Sequence, residues 1–157
     1  MRHTFTFFHR AWLILAVVLV APSAATAGSQ LSAPFQVAKV SLSGKRVKLG
    51  RWKSSRAASA SALTDVLVVA PWCVACSQSL ERMRRNGRHQ EMEMVVIPFS
   101  ELRRAPRAQL EQYRGLRLYA VSDQSARGIR AYPSFFRCRK RGACRELSES
   151  ERAELLR

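Results

Sequence analysis

Cys73 and Cys76, three residues apart, are the side chains in this chain best placed to do chemistry. An apolar run, Val66 to Ala70, and then Pro71-Trp72 precede them. They open a segment in which Cys76, Leu80 and Met83 recur at helical spacing, and Asn86-Gly87 supplies a stop signal. A thiolate at a helix N-terminus faces unpaired backbone N–H groups and the positive end of the helix dipole. Its pKa falls, and it can attack a disulfide. A second cysteine one turn later can reach the first sulfur and release the mixed disulfide. On this pattern Cys73 is the exposed nucleophile and Cys76 the more buried resolving thiol. A structural disulfide and half of a zinc site share the bare spacing. The succession of strand, Trp-Cys-x-x-Cys and helix favours the redox reading.

The second cysteine pair, Cys138 and Cys144, flanks the turn 139–143. Placed on neighbouring strands, the two thiols would close a small loop, which contributes at most about 2–3 kcal/mol. That structural disulfide is the preferred reading. The alternatives are a second redox pair exchanging with the first, which requires the sulfurs to approach, and a zinc site joining all four cysteines. His89 lies in a polar stretch and is the only histidine after residue 27, which speaks against a copper site or a Cys-His hydrolase. Serine-nucleophile, P-loop and dinucleotide motifs are absent. No metal or other cofactor is expected.

The elements that must position these residues follow from periodicity and turn chemistry. Phe35 to Leu49 reads as a β-hairpin turning at Ser43-Gly44-Lys45, and residues 54–62 as a Ser/Ala-rich connector. Gly28 to Pro34 reads as a flexible lead-in. Val66–Ala70, Met92–Ile97 and Leu116–Val121 read as strands. Between the last two, Ser100 is placed to cap a helix that Pro106 kinks or restarts and Gly115 ends. Ser122-Asp123 opens a short helix toward Ile129. A strand led by Tyr132-Pro133-Ser134 then turns back into Cys144–Leu147. Ser148 and Glu151 form a capping-box pattern before a closing helix. Strand–helix units followed by a hairpin imply an α/β fold, a central mixed sheet with helices on both faces.

The first residues have a different character. Arg2, His3, His9 and Arg10 precede an apolar run, Ala11 to Ala21, and an A-x-A pattern ends at Ala27. This predicts a cleavable signal peptide over 1–27 and one domain over 28–157. Eleven apolar residues fall short of the about 20 that span a bilayer, so an uncleaved anchor is the lesser alternative. Export places the cysteines in an oxidising compartment, the periplasm. The formal charge is +16; without Arg2 and Arg10 there remain 25 basic and 11 acidic residues, +14. The arginines are scattered and not interleaved with aromatics, so no nucleic acid is expected as a partner.

Val66 to Cys76, together with Tyr132-Pro133-Ser134 sixty residues beyond Cys73, resembles the thioredoxin superfamily. The hairpin, the segment between Ile97 and Asp123, and the approach from Asp123 through Ile129 to Pro133 look most like its TlpA/ResA-type exported reductases. The resemblance implies a thioredoxin-like fold with an N-terminal β-hairpin and a cis peptide bond at Pro133, which lies against the cysteines and keeps metal out. It also implies that Tyr132 and Pro133, with Trp72, shape client docking. The function implied is a periplasmic thiol–disulfide oxidoreductase, a monomer acting on exported client proteins and recycled by a membrane redox partner. Three departures stand out. Leu67 occupies the position six before the first cysteine, where many members have a buried acid. Val74-Ala75 matches neither the Gly-Pro of reductants nor the Pro-His of strong oxidants, leaving the direction of electron flow open. Cys138 and Cys144 have no usual counterpart. The rival reading is a redox-inactive envelope binding module with two structural disulfides and a basic binding surface.

Overall fold

The computed structural model of the protein describes residues 29–31, 34–43, 46–59, 62–139 and 143–157. The signal peptide expected over 1–27, the hairpin residues Gly44-Lys45, part of the 54–62 connector and Lys140–Gly142 lie outside the described residues. No helix among the described residues is long and apolar enough to cross a membrane.

Seven strands form one mixed sheet: β1 (Gln36–Ser43), β2 (Arg46–Ser54), β3 (Leu63–Val68), β4 (Met94–Pro98), β5 (Leu118–Val121), β6 (Ser134–Arg139) and β7 (Cys144–Glu146), in the order β2-β1-β5-β4-β3-β6-β7. The centre is parallel, with β3 beside β4 and β4 beside β5. The flanking pairs are antiparallel. Every residue of β4 and β5 is buried, which explains their unbroken apolar sequence: a parallel strand covered on both faces has no solvent side on which to alternate.

Alternate residues nonetheless divide the core in two. Leu67, Val95, Ile97, Leu118, Ala120 and Phe135 join one buried cluster, and Val66, Val68, Met94, Val96, Tyr119, Val121 and Phe136 join the other. With a side-chain period of two, these are the opposite faces of the sheet. On the first face lie α2 (Val74–Arg85), α3 (Phe99–Arg104), α4 (Arg107–Leu110) and α6 (Glu149–Leu155), through Leu80, Met83, Leu102, Leu110 and Leu155. Among the described residues, the second face carries only short helices, α1 (Ser55–Ala58) and α5 (Asp123–Ala126), through Ala58 and Ala126.

The lead-in departs from expectation. Leu31 is 3% exposed within the second cluster. Gln30 donates its backbone N–H to the Gly128 carbonyl at 2.8 Å. The Ser29 hydroxyl accepts from the backbone N–H of Arg130 and from the Ser134 hydroxyl. The segment is docked because the short helices leave apolar surface on that face for Leu31 to cover. Gly128 permits the approach: a Cβ there would sit 2.4 Å from the Gln30 carbonyl oxygen.

Other boundaries shift for identifiable reasons. β3 starts earlier and ends earlier than its apolar run, because its pairing with β6 spans Leu63 to Val68. The α3 helix begins at Phe99 behind Pro98, so Ser100 lies inside its first turn and is not its cap. The backbone N–H and the hydroxyl of Ser100 both donate to Asp123 Oδ1 instead, at 2.9 and 2.8 Å. In the hairpin, the register slips between Ala38 and Val40, so Gly50 and Arg51 together face Lys39. This bulge brings Trp52 to the same side as Leu49. There it meets Phe99 edge-on at 5.5 Å. The Ser148–Glu151 capping box starts α6, with both reciprocal bonds formed.

Candidate active site

Cys73 is the N-cap of α2, with extended backbone angles, and its sulfur accepts the Cys76 N–H at 3.1 Å. Its carbonyl accepts the first intrahelical bonds, from the N–H groups of Cys76 and Ser77. A thiolate formed here faces the helix's free N–H groups, the arrangement that stabilises a negative sulfur. The two cysteines are joined as a disulfide, Cα atoms 5.2 Å apart. Cys73 is 5% exposed and Cys76 fully buried, in the core cluster with Leu67, Val69 and Ala70. The exposed position drawn from the sequence is thus confined to a sliver at Cys73, since the pair faces the apolar core. The surface around it is made by Trp72 and Val74, 60% and 70% exposed.

Tyr132–Pro133 is a cis peptide. Tyr132 packs against the cysteine-containing cluster, and its ring meets Trp72 edge-on at 5.8 Å. The Trp72 indole N–H donates to Glu101 Oε2 at 2.8 Å. The ring is therefore an anchored surface platform beside the cysteines, not a cover buried over them. Burial pushes the Tyr132 hydroxyl pKa up, helped by the carboxylates of Glu101 and Asp123.

The loop that delivers Cys73 is held from behind. The Tyr113 hydroxyl donates to the Ala70 carbonyl at 3.2 Å, and burial pushes its pKa up to about 12. Gln112 Nε2 donates to the Pro71 carbonyl at 3.2 Å, while its Oε1 accepts from the Ser77 hydroxyl. Glu101 and Gln112 escaped sequence reasoning. Each sits in an Arg-rich, weakly periodic segment, and its partner lies 29 to 41 residues away.

Leu67 is fully buried in the same cluster as both cysteines. The buried polar or charged side chains among the described residues are Thr64 and Ser134, so no buried carboxylate stands beneath Cys76. His89 is half-buried in a 3-10 turn, Arg88–Gln90.

Cys138 and Cys144 are cross-strand partners of β6 and β7 and form a disulfide, Cα atoms 4.0 Å apart. Cys138 belongs to the second core cluster, and Cys73 and Cys76 belong to the first. The sheet stands between the two pairs, so direct exchange between them has no path in this arrangement. All four cysteines are in disulfides, and no group of three or more His, Cys, Asp or Glu side chains gathers among the described residues.

No family model and no curated protein matches the chain. Among solved structures, it is similar to a thioredoxin-like protein from Bacteroides caccae at 14% identity and TM-score 0.50, over 76% of this chain and 47% of that one. A thioredoxin from Wuchereria bancrofti aligns at 15% identity and TM-score 0.49, over 81% of this chain and 89% of that one. The fold is thioredoxin-like: a mixed sheet flanked by helices, extended at one edge by the β1–β2 hairpin.

Proposed function

We propose that this protein is an exported thiol–disulfide oxidoreductase in which Cys73 is the exchanging sulfur and Cys76 the resolving one. One observation carries the reading: the Cys73–Cys76 pair occupies the N-terminus of α2 in a thioredoxin-like fold, with the cis Tyr132–Pro133 segment packed against the same cluster. Access favours Cys73, the less buried of the two.

Starting from the disulfide, a client thiolate attacks the Cys73 sulfur. The Cys73–Cys76 bond breaks, and Cys76 leaves as a thiolate that takes up a proton. A second client thiolate then attacks the client sulfur of the mixed disulfide and expels Cys73, whose negative charge the α2 N–H groups stabilise. The client loses two electrons and two protons to the pair; reading the steps backwards reduces a client disulfide. With Leu67 in place of an acid, the Cys76 proton passes to and from solvent or the client. Trp72 and the Tyr132 backbone form the client's landing surface. A membrane partner recycles the pair, and the Cys138–Cys144 disulfide pins the strand behind Pro133.

The test is insulin-type disulfide exchange with the wild type and Cys73→Ser. We expect exchange to fall to background in the variant. Undiminished exchange there, or a wild-type pair that never exchanges in glutathione buffers, overturns the reading and favours a redox-inactive binding module.

A further inference from the structure

Next to Tyr132 in the chain, Pro133 lines a cleft of about 510 Å³ between α2 and α6, together with Phe135. Ala153 and Leu156 complete its apolar part, and Ser79 lies on the α2 side. Three arginines line the same cleft: Arg82 from the last turn of α2, Arg152 from α6, and Arg157 just beyond it. Glu149 is the single carboxylate side chain among the lining residues.

These arginines differ from those that serve the fold. Arg88, Arg107, Arg114, Arg137 and Arg145 all make ion pairs with carboxylates. None of the side chains of Arg82, Arg152 and Arg157 forms an ion pair or hydrogen bond among the described residues. Arg152 Nε is buried with no acceptor. A buried donor left unpaired is costly, and a guanidinium matches a carboxylate through two parallel bonds. Three like charges lining one cleft repel one another, and an anion that enters relieves that repulsion. The mixed lining suits a polypeptide segment carrying carboxylates on an otherwise apolar stem.

We propose that this cleft is a subsite for acidic side chains of the client polypeptide, which makes clients with carboxylates near the reacting cysteine the preferred substrates. The inference rests on the thiol–disulfide reading above. A client strand seated at Tyr132 and Cys73 runs onto the cleft through Pro133, which follows Tyr132 in the chain and lines the cleft.

The experiment uses two short peptides, one with a cysteine flanked on both sides by glutamates and the other its glutamine twin, each supplied as a mixed disulfide with a small uncharged thiol. The protein is first reduced to the Cys73, Cys76 dithiol. Cys73 attacks the peptide sulfur and expels the small thiol, and Cys76 then releases the peptide thiol. Exchange rates with the protein are compared at low salt, where the acidic peptide is expected to lead by about tenfold. In the variant Arg82→Gln, Arg152→Gln, Arg157→Gln the ratio of acidic to neutral rates falls to near one. Glu149→Gln raises the ratio, since it removes the one opposing charge. A control carrying Lys53→Gln, Arg127→Gln and Arg139→Gln keeps it. A wild-type ratio near one, or an equal loss in the cleft variant and the control, overturns the proposal. If neither peptide exchanges at all, the redox reading fails, and the cleft is judged by binding alone. Equilibrium binding of the two peptides, as free thiols, to a Cys73→Ser, Cys76→Ser protein then shows either a preference for the acidic peptide that the cleft arginines abolish or no preference, which sinks the subsite independently.

Discussion

At the scale of single residues, the reactive turn is held by polar contacts that no local pattern dictates. Tyr113 is 1% exposed and spends its hydroxyl on the Ala70 carbonyl, three residues before Cys73. Tyr113→Phe keeps the ring's packing and leaves that carbonyl without its side-chain donor. The Cys73 N–H still donates to the same carbonyl, at 3.1 Å, so the expected cost is about 0.5–1.5 kcal/mol. Urea unfolding should show it as a lower midpoint with an unchanged slope. A midpoint equal to wild type would mean that the Cys73 N–H suffices for this carbonyl and that the turn does not depend on Tyr113. Glu101 acts differently: it fixes the exposed Trp72 ring from α3, linking the 97–123 segment to the surface where a client would land.

At the scale of elements, α6 is tied down by one carboxylate. Glu151 accepts from the Ser148 backbone N–H in the capping box, pairs with Arg145, and stands 3.6 Å from Arg137, which itself holds Asp65 of β3. The Arg145 guanidinium, and then the Ser148 N–H, hold the Glu151 carboxyl far below the usual carboxylate range. A pKa depressed in the folded state means stability that is present above the unfolded value of about 4.3 and lost as pH falls toward the folded value. The gap in stability between wild type and Glu151→Gln should therefore be full at neutral pH and shrink steadily below about pH 4. A gap that stays constant through the acid range would show that Glu151 contributes through the cap geometry and not through its charge. The exposed setting and salt screening keep the effect modest.

At the scale of the whole molecule, the sheet is protected unevenly. Its parallel centre, β3 to β5, is buried on both faces, whereas β2 and β7 are edges and, among the described residues, the second face carries two four-residue helices and the docked lead-in. Amide hydrogens that open only with global unfolding should thus lie in Val66–Val68, Val95–Ile97 and Leu118–Ala120, with α1, α5 and β2 exchanging faster. Native-state hydrogen exchange reads this directly. Equal protection in α5 and β4 would mean that the second face is as cooperative as the first.

Much of this was written locally in the chain. The Cys73 cap, the apolar stripe through Cys76, Leu80 and Met83, the Gly87 and Gly115 stops at positive φ, and the Ser148–Glu151 box depend on neighbours within one or two turns. Periodicity and capping chemistry expose such features without a fold. The docking of Leu31, the tie between Ser100 and Asp123, the Gln112 and Glu101 contacts and the convergence of Arg82, Arg152 and Arg157 were not legible. Each joins segments that meet only after the sheet has ordered its strands. Which face each cysteine pair takes belongs with them. Strand parity places Cys138 on one side of the sheet and the α2 crossover places Cys73 and Cys76 on the other. Short-range hydrogen bonding and side-chain period determined the elements and the reactive turn. Only the order and direction of the strands decided what surrounds that turn, because those choices set contacts across the chain that no local window contains.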